Sequence, residues 1–209
     1  MKKYKHIIFD VDGTLLDTGF AVLHSLQDTA LRYLNECIPM DELTFALGIP
    51  GEVTLQRLGI EDVGGANKYW NECMQKYRSC ISLFDGVCEM LEALHREGYA
   101  LGIITSKTKE EYEADFVPYG VSHYFGSVVC VEDSSRPKPY PDSLLAYLDR
   151  NGVSAEEAVY IGDTIYDSQC ARSAGVDFGL ALWGCSKPDG IDSKHKFQEP
   201  NVIAKEYGK

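Results

Sequence analysis

No stretch of this chain approaches the roughly 20 consecutive apolar residues that a helix needs to cross a bilayer. Basic charge is scarce as well, with 20 Lys and Arg against 32 Asp and Glu and a formal net charge of −12. That balance works against capture of nucleic acid or an anionic membrane, since a polyanion is held by neutralising its phosphates with Lys and Arg. The seven cysteines are odd in number, contain no C-x-x-C pair and do not cluster with the five histidines. A disulfide framework and a zinc site are therefore disfavoured, and mostly buried thiols are expected. Internal repeats, low-complexity tracts and long linkers are missing too. The N-terminal MKKYKHIIFD carries basic residues, but its apolar run meets Asp10 too soon for a secretory signal, so a cytoplasmic location is expected. At 209 residues and 44% hydrophobic content, the chain can bury a proper core as one large domain or two modest ones. A small phosphorylated substrate remains open, because a divalent ion and one or two lysines can reverse the local potential.

The stretch IIFDVDGTLLDT, from Ile7 to Thr18, organises the rest. Ile7, Ile8 and Phe9 read as a strand buried on both faces, which delivers Asp10 and Asp12 at its C-terminal end, just before Gly13 and Thr14. In an open parallel sheet, ligands lie beyond the carboxyl ends of the strands, so both carboxylates are presented where a ligand would sit. Carboxylates there suit a hard cation or covalent chemistry through an acyl phosphate. An acidic turn favoured for local backbone reasons is the plainer alternative.

After Asp17 the pattern turns helical, with Val22, Leu23, Leu26, Ala30, Tyr33 and Leu34 forming one stripe. Further helical pieces carry Phe45, Leu47, Val53, Leu55 and Leu58 around the breaker Gly48-Ile49-Pro50-Gly51, and then Trp70, Met74 and Tyr77. From Asp85 helix and strand alternate. Val87, Met90, Leu91 and Leu94 mark a helix, and Ala100 to Thr105 a strand. Thr108 with Glu111 forms a capping box, and Ser127 to Val131 reads as another strand. Leu144, Leu145 and Leu148 carry the next helix after Pro141. Ser154 with Glu157 caps the approach to the strand Ala158 to Gly162. A helix with Cys170, Ala171 and Ala174, then a last strand Asp177 to Leu182, precede a Gly/Pro/Lys-rich tail. Alternation of this kind predicts parallel βαβ crossovers, hence an α/β fold: a three-layer, Rossmann-like α/β/α core with an inserted all-helical block. The expected division is residues 1–16 and 84–209 as core and residues 17–83 as the insertion, joined at two places where it could swing as a lid.

Three more stretches follow apolar strands. Thr105-Ser106-Lys107 offers hydroxyls and backbone N–H groups for phosphate oxygens, or simply an N-terminal cap. In Arg136-Pro137-Lys138-Pro139-Tyr140-Pro141-Asp142, a lysine sits between two prolines, either aimed on a stiffened backbone or solvated in a surface turn. Gly162-Asp163, with Asp167 four residues after Asp163, brings two further carboxylates, which could also be helix-start residues.

Together DVDGT with LLD, Thr105, KPYPD and GDTIYD strongly resemble, in order, the four motifs of the haloacid dehalogenase superfamily, in its phosphatase branch. The resemblance spans the sheet domain and includes ARSAGV and Trp183-Gly184. It is weaker over the helical insertion, whose position and length fit the cap of phosphoglycolate phosphatase-like and β-phosphoglucomutase-like members. It implies that Asp10 is the nucleophile and Asp12 the general acid and base, and that Thr105 and Ser106 bind the phosphate. It further implies that Lys138 holds the nucleophile and the phosphate charge. Mg²⁺ is then held by Asp10, Asp163 and the backbone carbonyl of Asp12, with Asp167 behind them orienting water ligands or Lys138. The activity implied is hydrolysis of a small phosphorylated metabolite by a monomer or homodimer.

Other branches fit less well. Dehalogenase and phosphonate-cleaving relatives lack an acid where Asp12 stands. The sugar-phosphate mutase branch shares all four motifs, but its cap loop carries an arginine where Gly51 aligns, though another cap residue such as Arg57 could substitute. A non-catalytic interaction module typically loses a nucleophile or metal carboxylate, whereas Asp10, Asp12, Lys138 and Asp163 are all present. His6, His24, His95, His123 and His195 lie outside every motif. The polar residues Arg57, Asn67 and Lys68 of the insertion carry no spacing that points to a substrate.

Overall fold

The computed structural model describes residues 4–207; Lys2 and Lys3, part of the basic N-terminal reading, and the last two residues of the expected core lie outside the described residues. Strand β1 (His6–Phe9) leads through a tight turn into the two-residue β2 (Leu16–Asp17). Helices α1 (Gly19–Leu34), α2 (Met40–Leu43), α3 (Gly51–Arg57) and α4 (Val63–Lys76) follow. Then β3 (Ser82–Leu83) pairs antiparallel with β2, so the chain leaves the sheet region and returns to it at adjacent points. Beyond lie α5 (Val87–Arg96), β4 (Ala100–Ile104), α6 (Lys109–Asp115), β5 (Phe125–Val129) and α7 (Asp142–Asn151). The described chain ends with β6 (Ala158–Gly162), α8 (Ile165–Ala174), β7 (Asp177–Ala181), β8 (His195–Phe197) and α9 (Pro200–Tyr207).

Six strands form one sheet in the order β5-β4-β1-β6-β7-β8, and every pairing in it is parallel. Because β1 is flanked by β4 on one side and β6 on the other, with Phe9 opposite Ile103 and Ile161, its carboxyl end is the point where the strand order reverses. A crevice opens there in such sheets. One face packs Ile7, Phe9 and Ile103 against α5, α6 and α9 through Met90, Tyr112 and Ile203. The other packs Ile8, Ile104 and Tyr160 against α7 and α8 through Leu144, Tyr147 and Cys170. This is the expected three-layer α/β/α arrangement. The helices α1 to α4 enclose a separate apolar cluster, with Leu26, Leu43, Leu55 and Trp70 at its centre.

Several elements depart from the sequence reading. The tail after β7 is not irregular: β8 extends the sheet and α9 covers α5. Only Phe197 of the three residues in β8 is buried, so no alternation marks it. Strand β5 starts at Phe125, two residues before the expected Ser127, and Val131 lies in a 3₁₀ turn. Leu145 and Val53 are exposed, while Tyr147 and Thr54 take the buried positions beside them. On α1 the fully buried face includes Ser25 and Thr29, because each hydroxyl donates to a carbonyl four residues back. The cysteines are all free, but only Cys73, Cys130 and Cys170 are buried; Cys37, Cys80 and Cys88 are exposed. Among the described residues, no helix is long and apolar enough to cross a membrane.

Candidate active site

The parallel ladder runs one residue past β1, with the amide of Asp10 donating to the carbonyl of Ile161 at 2.9 Å. The chain then curls, and the Val11 carbonyl accepts from the amides of Leu15 (2.9 Å) and Leu16 (2.8 Å). Gly13 makes this turn at φ +80°, and a Cβ there would run into the carboxylate of Asp163. Glycine satisfies both demands at once. Across the gap, the Thr14 hydroxyl donates to Asp163 Oδ1 at 3.0 Å and the Trp183 indole donates to the Thr14 carbonyl at 2.9 Å. The turn after β1 and the turn after β6 are thereby locked together.

Behind them Lys138 is 5% exposed, and its Nζ donates to Asp10 Oδ1 and Asp167 Oδ1, both at 2.7 Å. Tyr160 donates to the same Asp167 oxygen at 2.8 Å, while Asp167 Oδ2 accepts from the amide (3.1 Å) and hydroxyl (2.5 Å) of Thr164. Asp167 therefore caps α8 and holds Lys138 simultaneously. Burial pulls Lys138 down, but the facing charges of Asp10 and Asp167 outweigh it and carry it well above the ordinary lysine value. For Asp10, burial pushes the carboxyl up to about 7 despite Lys138, and burial also raises Asp163 well above the ordinary range.

The cluster is thus short of positive charge. Asp10 Oδ2 is buried with no hydrogen-bond partner. Asp10, Asp163 and Asp167 each offer an oxygen within 4.8 Å of the others, but both oxygens of Asp167 are already engaged. Asp10 and Asp163 are the residues with capacity for a hard cation, and an all-oxygen donor set suits Mg²⁺.

Of the residues singled out from sequence, Asp10, Asp12, Ser106 and Asp163 line one cavity of about 230 Å³. Lys138 and Asp167 lie behind it, joined to Asp10 through Lys138 Nζ. Thr105 is buried after β4, where its hydroxyl accepts from the Lys107 amide at 3.1 Å, and Ser106 donates to the Gly48 carbonyl at 3.1 Å. The second bond ties the sheet side to the helical side. The roof of the cavity consists of Leu47, Ile49, Asn67, Trp70, Asn71 and Met74 from the helical block. Arg57 stands outside it, 4.4 Å over the ring of Phe45.

Sequence reasoning missed Lys107, Tyr160 and Thr14. Tyr160 reads as one more apolar residue of β6, and Thr14 as part of a turn. Lys107 directly follows two residues that were noted, but its partners Asp12 (3.3 Å) and Asp115 (3.1 Å) are distant in sequence or unremarkable.

Residues 7–181 match the family model described as haloacid dehalogenase-like hydrolase. A pyrophosphatase PpaX candidate from Caldanaerobacter subterraneus subsp. tengcongensis is 31% identical over 87% of this chain and 83% of its own length. Pyrophosphatase PpaX of Bacillus velezensis is 27% identical over 87% of this chain and 85% of its own. Among solved structures, a phosphoglycolate phosphatase candidate from Lactobacillus plantarum superimposes with a TM-score of 0.87 at 28% identity, covering 97% of this chain and 99% of its own.

Proposed function

The chain belongs to the haloacid dehalogenase-like hydrolases, and from that premise we propose that it is a Mg²⁺-dependent phosphatase of a small phosphorylated metabolite. Asp10 attacks phosphorus as the bond to the leaving oxygen breaks, and Asp12 gives that oxygen its proton. Asp12 then takes a proton from water, whose oxygen displaces Asp10 and releases inorganic phosphate. Lys138 opposes the charge of Asp10 and phosphate, and Asp167 keeps the ammonium in place. Thr105 and Ser106 receive phosphate oxygens once the Ser106 hydroxyl leaves Gly48. Asp10, Asp163 and the Asp12 backbone carbonyl would hold the metal ion, which when bound supplies positive charge against the phosphate oxygens. Residues 17–83 act as a cap over the core of residues 1–16 and 84–209. The setting proposed is cytoplasmic, as a monomer or homodimer, without a nucleic-acid or membrane partner.

The observation that carries this reading is Asp10 itself. One oxygen is clamped by Lys138 at 2.7 Å and the other is buried without a partner, on a cavity shared with Asp12 and Asp163. Pyrophosphate is a second candidate substrate, favoured by the name of the relative at 31% identity. A mutase is disfavoured because Gly51 and Asn67 line the cavity where a cationic grip would be needed, and Arg57 does not. A non-catalytic role is disfavoured by retention of Asp10, Asp12, Lys138 and Asp163.

The test is phosphate release from p-nitrophenyl phosphate, 2-phosphoglycolate and pyrophosphate, with Mg²⁺ and in excess chelator, together with acid quenching to trap base-labile phosphate on the protein. Release should require Mg²⁺, and Ca²⁺ should inhibit. Full activity in chelator would exclude the metal role, and no release from any phosphate ester or anhydride would end the enzyme reading.

A further inference from the structure

Lys107 enters the cavity from a backbone fixed on both sides: its amide donates to Thr105 Oγ1 at 3.1 Å and its carbonyl accepts from Val131 at 3.0 Å. Its side chain is only 11% exposed, and Nζ lies 3.3 Å from Asp12 Oδ1 while donating to Asp115 Oδ2 at 3.1 Å. Asp115 closes α6, a helix whose start is pinned by the reciprocal capping box of Thr108 and Glu111. Asp12 Oδ1 is buried and makes no hydrogen bond of ordinary geometry, so the ammonium of Lys107 is the charge that faces it. Helix α6 thus reaches Asp12 through Asp115 and Lys107.

We propose that Lys107, anchored by Asp115, is a positioning residue that sets the orientation of the Asp12 carboxyl for proton exchange with the leaving oxygen. The inference rests on the phosphatase reading above. Lys107 does not serve as a grip for a second anion on the substrate. Its single charge already faces two carboxylates, and among the cavity-lining residues it is the only cation. A carboxyl that must deliver a proton gains from being held, because misplacement by a fraction of an ångström degrades transfer.

The leaving group supplies the test. An alkoxide needs a proton as it departs, whereas p-nitrophenolate is stable without one, so loss of Asp12 alignment should fall on alkyl phosphates. The rate of phosphoenzyme formation is the quantity to measure by rapid acid quench, since the later hydrolysis is common to both substrates. Lys107→Met should slow formation from an alkyl phosphate by about 30-fold or more and from p-nitrophenyl phosphate by less than about threefold, with KM nearly unchanged for both. Asp115→Asn, which leaves the lysine in place, should give the same pattern more weakly. Equal losses on the two substrates, a rise in KM with the rate preserved, or no loss in either variant would each overturn the proposal. If the unmodified protein forms no phosphoenzyme from either ester, the phosphatase reading itself fails and takes this inference with it.

Discussion

Along the strand ends, Asp10, Lys138, Asp163 and Asp167 are almost wholly buried, and each is tied to a neighbour by a hydrogen bond. Opposite them, between Gly19 and Met74, the cavity lining holds no charged side chain: its polar groups are the amides of Asn67 and Asn71, set among Leu47, Ile49, Trp70 and Met74. Buried charges are costly and persist only when paired, so the floor reflects chemistry that stability alone would not favour. The roof follows ordinary packing, with Trp70 donating to the buried Ser25 hydroxyl at 2.8 Å. On the proposed function, the floor would break the bond and the roof would choose the molecule carrying it.

The sharpest way to break that separation is Asp10→Asn. The amide is isosteric, and Lys138 keeps its bond to Asp167, so melting should shift by only a few degrees. Turnover should fall by about three orders of magnitude or more, because the nucleophile is gone. Wild-type-like turnover would sink the nucleophile assignment and the distinction with it.

Lys138→Met tests whether the floor is held by its pairing. Removing the ammonium leaves Asp10 and Asp167 buried without their common partner, a loss of about 3–5 kcal/mol. Thermal unfolding should therefore drop on the order of 10 °C, along with activity. An unchanged melting temperature would mean that protonation of the two carboxyls absorbs the loss.

A smaller effect concerns the acceptor. With a catalytic trace of β-glucose 1,6-bisphosphate, release of phosphate should exceed interconversion of β-glucose 1-phosphate and glucose 6-phosphate by about tenfold or more, since no roof cation grips a second phosphate. Faster interconversion would place a selective charge on the roof after all.

This division also explains what could be read from the chain. Much of the floor was legible because three of the proposed site residues follow apolar runs: Asp10 after Ile7-Ile8-Phe9, Thr105 after Leu101 to Ile104, Asp163 after Ala158 to Gly162. The capping box at Thr108 carried its own local pattern and formed in full, while at Ser154 the Glu157 carboxylate accepts from the Ser154 amide at 3.4 Å at the start of a 3₁₀ turn. Lys107 was not legible, because its meaning depends on Asp12 and Asp115 meeting in space. Strand β8 was missed because three residues with one buried side chain give no period. The roof was opaque for a different reason. Neutral side chains carry no charge pattern, and nothing in the sequence says that the helix turns Asn67 into the cavity and leaves its neighbour Lys68 exposed.

Asn71→Ala probes the roof at a light contact with the sheet domain. Its Nδ2 donates to Glu111 Oε1 at 3.4 Å in an exposed position, a bond worth less than about 1 kcal/mol. The other carboxylate oxygen, Oε2, accepts from the Thr108 amide at 2.9 Å, so the cap of α6 survives the change. Nothing in the floor is disturbed. Turnover of p-nitrophenyl phosphate should then change by less than about twofold. With whichever metabolite of a phosphate panel is hydrolysed best, KM should rise about three- to fivefold at constant kcat, since a contact to a non-reacting part of the substrate is held equally in ground and transition states. A collapse of kcat on both substrates would show the roof taking part in the chemistry, and floor and roof could no longer be told apart by what they do.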